Sequence, residues 1–247
     1  MEIGWPRELF LSRHAESAGN VARELAMASG ALVIDLDCRD CDVPLSPLGE
    51  RQAAALGQWC RRHIEPVDAV LSSPYVRAQQ TSAIALREAG WDHIPIVVDE
   101  RLREKEFGMF DRLTRGGIEH RFPEQAEMRR VLGKFYYRPP GGESWTDVIL
   151  RLRSVIDTLT REYNNCRIAI VSHQVIVLCF RYLLEGLSEQ QILAIDAEGD
   201  VANCSVTTYR YDEAAKKLKL RSYNVVAPME EAGEPVTREP DVPVARK

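Results

Sequence analysis

Leu9-Phe10-Leu11-Ser12-Arg13-His14 decides the reading of this chain, because a strand-like apolar run ends directly on an arginine and a histidine. The same arrangement returns twice. Val70-Leu71-Ser72-Ser73-Pro74 is followed by Arg77 in the first turn of a helical pattern, and Ile168-Ala169-Ile170-Val171-Ser172 is followed by His173. In an open parallel sheet the carboxyl ends of neighbouring strands meet in one crevice, where such folds bind ligands. Arg13, His14, Arg77 and His173 are therefore expected to converge. Two guanidiniums offer planar bidentate donors matched to phosphate oxygens, and helix N-termini add backbone N–H groups of favourable dipole sign. Such a pocket suits a phosphoryl dianion.

Outward from these stretches, strand-like runs fall at 8–12, 68–72, 94–99, 167–172, 205–211 and 217–224. Ser46-Pro47 opens a helix, with serine as cap and proline in the first turn, and puts Ala53, Leu56, Cys60 and Ile64 on one face. Ser73-Pro74 is expected to open another in the same way. Ser144, with Asp147 three residues on, begins a third whose buried stripe is Val148, Leu152, Val155, Ile156 and Leu159. Alternating strands and helices predict an α/β fold, three layers α/β/α around a mostly parallel central sheet. No linker divides the chain, so residues 1–227 are expected to form a single domain. The proline-bearing acidic stretch 228–247 is expected to be a flexible tail.

The chain has 247 residues, and its 32 basic and 37 acidic residues leave a net charge of −5. That balance argues against wholesale nucleic-acid binding. No segment approaches the roughly 18 consecutive apolar residues of a membrane helix. The N-terminal residues Met1 to Glu8 lack the basic and apolar regions of a secretory signal, so a cytoplasmic location is expected. Six cysteines are too sparse for a disulfide scaffold and are read as reduced. A homodimer stays an open alternative for the assembly.

Two stretches interrupt the rhythm of strands and helices. Residues 21–45 carry a short helical pattern and an acidic loop, and residues 108–143 carry Arg112, Arg115, Arg121, Arg129, Arg130, Lys134 and Arg138. Insertions of this kind are expected to lie over the active site as lids or recognition elements. Cys38-Arg39-Asp40-Cys41 has zinc-like spacing but no second pair of ligands, and is read as an ordinary loop.

A histidine in such a pocket can attack phosphorus, because neutral imidazole is nucleophilic at physiological pH. Two guanidiniums and a protonated second imidazole could then stabilise the phosphoryl oxygens, so no metal or cofactor is expected. The leaving oxygen needs a proton, for which Glu104 is the best candidate and its neighbour Glu106 the alternative.

Leu11-Ser12-Arg13-His14-Ala15-Glu16-Ser17 with Asn20 resembles the signature of the histidine phosphatase superfamily. Further similar motifs follow in order: Pro44 to Gly49, Ser72 to Thr81, Leu102-Arg103-Glu104 with Phe107-Gly108, Gly141 to Ser144, and Val171-Ser172-His173. The resemblance implies a phosphoglycerate mutase-like fold, His14 as the phosphorylated residue and Glu104 as the proton donor. It also implies that Arg13, Asn20, Arg77 and His173 hold the phosphoryl group. Ala15 and Gln174 stand where the family usually has glycine, and alanine would be strained if position 15 required a positive φ. Tyr136 to Ser144 and Ser172-His173-Gln174 look more like the phosphatase members, so hydrolysis of a small phosphorylated metabolite is the first expectation. Tyr137 and Arg138 are candidate substrate contacts. The alternatives are a 2,3-bisphosphoglycerate-dependent phosphoglycerate mutase and a catalytically impaired phosphate-binding protein.

Overall fold

The computed structural model describes residues 4–238. In chain order its elements are β1 (Glu8–Arg13), α1 (Ala18–Ser29), α2 (Pro47–His63), β2 (Ala69–Ser72), α3 (Val76–Ala89) and β3 (Ile96–Val98). There follow α4 (Arg115–Arg121), α5 (Pro123–Tyr136), α6 (Trp145–Glu162), β4 (Arg167–Ser172) and α7 (Gln174–Glu185). The chain continues through α8 (Glu189–Glu198), β5 (Val206–Asp212), β6 (Lys217–Val225) and α9 (Ala227–Ala232). The strands form one sheet in the order β3-β2-β4-β1-β5-β6. β3, β2, β4 and β1 run parallel, whereas β5 and β6 are antiparallel additions.

Strand alternation sorts the core into two layers. Leu9, Leu11, Leu71, Ile168 and Ile170 face a cluster with Val148, Leu152 and Leu159 of α6 and Val177 and Phe180 of α7. The intervening residues Phe10, Val70 and Val171 face Ala53 and Leu56 of α2, Ala78 and Leu86 of α3, and Met229 of α9. This is the period-two signature of strands buried on both faces.

Helix starts follow local chemistry in two of the three expected cases. Ser46 caps α2 by accepting from Gly49 N, and Ser144 caps α6 in a capping box with Asp147. The third case differs. α3 begins at Val76 with Tyr75 in the cap position and no side-chain cap; Ser73 lies two residues earlier, where its hydroxyl accepts from Tyr75 N at 3.3 Å and meets His173 Nε2 at 2.7 Å.

Of the stretch expected to be a flexible tail, residues 228–238 are described, and several of them pack on or bond to the rest of the domain. Pro228 and Met229 are buried, Gln52 Nε2 donates to Pro235 O and Thr237 Oγ1 at 2.9 Å each, and Thr237 bonds Asn203 at 3.0 Å. Met229 supplies the apolar anchor that composition alone discounts. Residues 239–247 lie outside the described residues.

Candidate active site

β2, β4 and β1 are neighbours in the sheet, and their carboxyl ends bring the three motif stretches together. Arg13 pairs in register with Ser172, so His14 and His173 leave adjacent strands side by side. His14 N donates to Ser172 O at 2.8 Å, and the two imidazoles meet edge to face with centroids 5.1 Å apart.

The tautomer of His14 follows from its partners. Its Nδ1 lies 2.7 Å from Ala15 O, a pure acceptor, so Nδ1 carries the proton. Nε2 then presents a lone pair, to which Arg77 Nε–H donates at 3.2 Å. Burial, then the charges of Arg77 and Arg13, hold the His14 pKa well below the ordinary imidazole value. The ring is neutral at physiological pH.

His173 is completely buried and also held well below the usual range, first by burial and then by Arg77 and His14. The protonated second imidazole of the sequence expectation therefore gives way to a neutral one, because a charge there would be desolvated beside two guanidiniums. One ring nitrogen, Nε2, is 2.7 Å from Ser73 Oγ, and the other, Nδ1, has no hydrogen-bond partner among the described residues. A buried polar atom left this way marks a place for a ligand atom.

Arg13 donates Nη1 to Val201 O at 2.7 Å and to Gln174 Oε1 at 3.1 Å, while Gln174 Nε2 donates to Asp200 at 2.8 Å. Gln174 thus orients an arginine that a glycine could not reach. Ala15 carries no positive φ and is fully buried, its N–H donating to Thr81 Oγ1 at 3.0 Å, so the anticipated strain does not arise. Asn20 lines the cavity, and its Oδ1 accepts from Ser17 N at 2.9 Å in the capping box that starts α1.

Arg13, His14, Asn20 and Gln174 open into a cavity of about 530 Å³, of which the completely buried His173 is not a lining residue. Arg13, His14, Asn20, Arg77 and Glu104 line it, with the buried Tyr137, whose hydroxyl donates to Gln125 at 3.0 Å. Glu106 and Arg138 do not line it. Glu106 is exposed and accepts from Tyr75 at 3.2 Å, and Arg138 turns away to pair with Asp147 in the first turn of α6. Both oxygens of the Asp147 carboxylate accept from the guanidinium there, a two-bond contact that holds Arg138 out of the cavity. The carboxyl of Glu104 is pushed upward, first by burial, against opposing hydrogen bonding from Lys105 N and the nearby arginines.

A chain reversal at Gly108 holds the Glu104 loop against residues 140–142. Gly108 adopts φ +56°, and a Cβ built there would stand 2.2 Å from Pro140 O. Only glycine permits that approach. The two insertions roof the cavity together: Leu113 bridges to Val33, Thr114 N donates to Leu32 O at 3.1 Å, and Arg112 donates to Leu36 O and Cys38 O at 2.6 and 2.5 Å. Sequence reading did not find Ser73, Gln174 or Lys105 in this site; the Ser-Pro signal at residue 73 pointed to a helix cap instead. Among the described residues no cluster of three or more His, Cys, Asp or Glu is arranged to hold a metal, and no helix is long and apolar enough to cross a membrane.

A sequence profile of the histidine phosphatase superfamily (branch 1) matches residues 9–224. The chain is 32% identical over 174 residues to a 6-phosphofructo-2-kinase/fructose-2,6-bisphosphatase of Caenorhabditis elegans, covering 70% of this chain and 33% of that protein. It therefore spans about a third of that relative. It is 29% identical to a probable phosphoglycerate mutase of Yersinia enterocolitica, over 84% of this chain and 86% of the relative. Among solved structures, the alpha-ribazole phosphatase of Shigella flexneri superposes with a TM-score of 0.71 at 22% identity, covering 88% of this chain and 96% of the other. A mycobacterial glucosyl-3-phosphoglycerate phosphatase, in complex with inorganic phosphate, gives 0.68 at 23% identity, covering 90% and 99%. At these identities the structural likeness speaks for the fold.

Proposed function

From the premise that this chain belongs to the histidine phosphatase superfamily, we propose that it hydrolyses phosphomonoesters of small metabolites through a phosphohistidine at His14. The observation that carries this reading is the neutral imidazole whose Nε2 lone pair faces Arg77 at the cavity wall.

In the first step Nε2 attacks phosphorus while Arg77 and Arg13 draw the phosphoryl oxygens, and the P–O ester bond breaks. Nδ1–H of His173, with Nε2 held by Ser73, donates to a further oxygen of the group. Glu104, protonated because burial raises its pKa, gives its proton to the leaving oxygen. In the second step water attacks the phosphohistidine, Glu104 as carboxylate takes a proton from that water, and the P–N bond breaks to release inorganic phosphate.

The rest of the cavity favours an ester with an additional negative charge. Lys105 and Arg129 line it and form no ion pair with any described carboxylate, and burial, then Arg129, lowers Lys105 to about 8. A cytoplasmic location belongs to the same proposal, supported by six free cysteines.

The test is phosphate release from p-nitrophenyl phosphate over a range of pH with EDTA present throughout. Turnover supports the phosphatase reading. A folded protein that fails to turn over this ester but interconverts phosphoglycerates when primed with 2,3-bisphosphoglycerate is a mutase, which overturns it.

A further inference from the structure

Arg77 has five N–H bonds to give. Nε–H goes to His14, Nη1 donates to the backbone carbonyl of Asp40 at 2.6 Å and to Asp40 Oδ1 at 3.0 Å, and Nη2 donates to Asp40 Oδ2 at 3.2 Å. One N–H remains. The fork that would clamp a phosphoryl group is already gripped by a carboxylate from the first insertion, some forty residues away in sequence.

The two occupants exclude each other. A phosphoryl dianion beside the Asp40 carboxylate on one guanidinium would set like charges a few ångströms apart in a largely buried site, and too few N–H bonds remain to serve both. The surroundings let Asp40 yield. Its side chain is 42% exposed, whereas that of Arg77 is 7% exposed and fixed against the Tyr75 ring at 4.7 Å. Arg112 pins the chain on one side through Leu36 O and Cys38 O, and buried Val43 pins it on the other. Movement is thereby confined to the short turn Asp40–Asp42.

We infer that Asp40 is a built-in competitor for the phosphoryl site: it releases the Arg77 fork when a substrate binds and returns to it to displace the phosphate product. The inference rests on reading the site as a phosphoryl pocket. It makes Asp40 a determinant of phosphate affinity and of product release, with no part in bond making or breaking. In thermodynamic terms the apparent dissociation constant of any phosphoryl ligand is the intrinsic one divided by the fraction of molecules in which Asp40 has left the fork.

Calorimetric titration with inorganic phosphate of the wild-type chain, Asp40→Ala, Asp40→Asn and Arg77→Gln tests this. Asp40→Ala is expected to bind phosphate about tenfold more tightly than wild type, with Asp40→Asn between them because it keeps an acceptor but loses the charge. The inhibition constant of phosphate in the p-nitrophenyl phosphate assay is expected to fall by the same factor. The Asp40 side chain is 42% exposed, so its variants should fold, with a lowered melting temperature because the buried Arg77 guanidinium loses its carboxylate. Unchanged or weaker binding in Asp40→Ala, while Arg77→Gln abolishes binding, overturns the competitor and makes Asp40 a positioning residue for Arg77. Phosphate binding that is absent from wild type and Asp40→Ala alike, or indifferent to Arg77→Gln, overturns the phosphoryl pocket itself.

Discussion

Arg77 Nε–H points at Nε2 of His14 across 3.2 Å, joining residues 63 apart in sequence. The contact fixes two things at once: the proton of His14 must sit on Nδ1, and the guanidinium stands where phosphoryl oxygens would arrive as the lone pair engages phosphorus. On the proposed mechanism the nucleophile and the guanidinium are thereby juxtaposed before any ligand enters, with the fork itself still held by Asp40.

His14→Ala is expected to lower turnover of p-nitrophenyl phosphate by at least about 1,000-fold while the far-ultraviolet circular dichroism stays that of wild type. Substantial residual turnover in the folded variant would remove His14 from the role of nucleophile.

If Glu104 is the proton donor of the proposed mechanism, it should set the alkaline side of the pH profile. Its pKa is raised, so the proton-donating form persists above the ordinary carboxylate range and is lost as pH climbs through the raised value. His14 is lowered, so its neutral form survives below the ordinary imidazole value. Glu104→Gln should flatten the alkaline limb and reduce kcat for alkyl phosphates by about 100-fold or more. The loss should be much smaller for p-nitrophenyl phosphate, whose phenolate leaves without help, and equal losses on both esters would contradict the proton-donor role.

Arg138→Ala should leave KM for every phosphoester unchanged and cost about 0–1 kcal/mol of stability, the range of a surface ion pair, since its partner is Asp147 and not the cavity. Lys105→Met or Arg129→Met should instead raise KM at least about tenfold for esters that carry a second anion, the scale of one lost charged hydrogen bond, and leave p-nitrophenyl phosphate alone. Steady-state kinetics on the two substrate classes decides both halves.

Two buried neutral histidines make the fold sensitive to mild acid. The unfolded chain protonates His14 and His173 near 6.5, whereas the folded chain resists until far lower pH. Their contribution is complete above the unfolded value and is lost as pH falls from there toward the depressed folded values. Urea midpoints measured between pH 7.5 and 5 should therefore decline, and decline less steeply in His173→Asn; parallel slopes would refute the linkage.

Gly108→Ala should destabilise the chain by about 1–3 kcal/mol, the cost of a forced left-handed residue, because its Cβ would also strike the Pro140 carbonyl. Activity should fall with it, since the same reversal seats the Glu104 loop. A variant of wild-type stability, judged by denaturant titration, would show that the Pro140 backbone gives way.

The sequence by itself determined the strands, the mostly parallel sheet and the convergence of Arg13, His14, Arg77 and His173, because these depend on short-range signals: apolar runs of strand length, and polar residues at their carboxyl ends. The caps at Ser46 and Ser144 were legible for the same reason, each being complete within four residues. Only the tertiary structure decided that Ser73 serves His173 across 100 residues, that Arg138 turns to Asp147, that the two insertions pair with each other through Val33 and Leu113, and that Met229 anchors α9. Each of these rests on a choice among partners distant in the chain, settled by burial and by competition for charge. Such choices leave no periodic trace in sequence, and Asp40 in the fork of Arg77 is one of them.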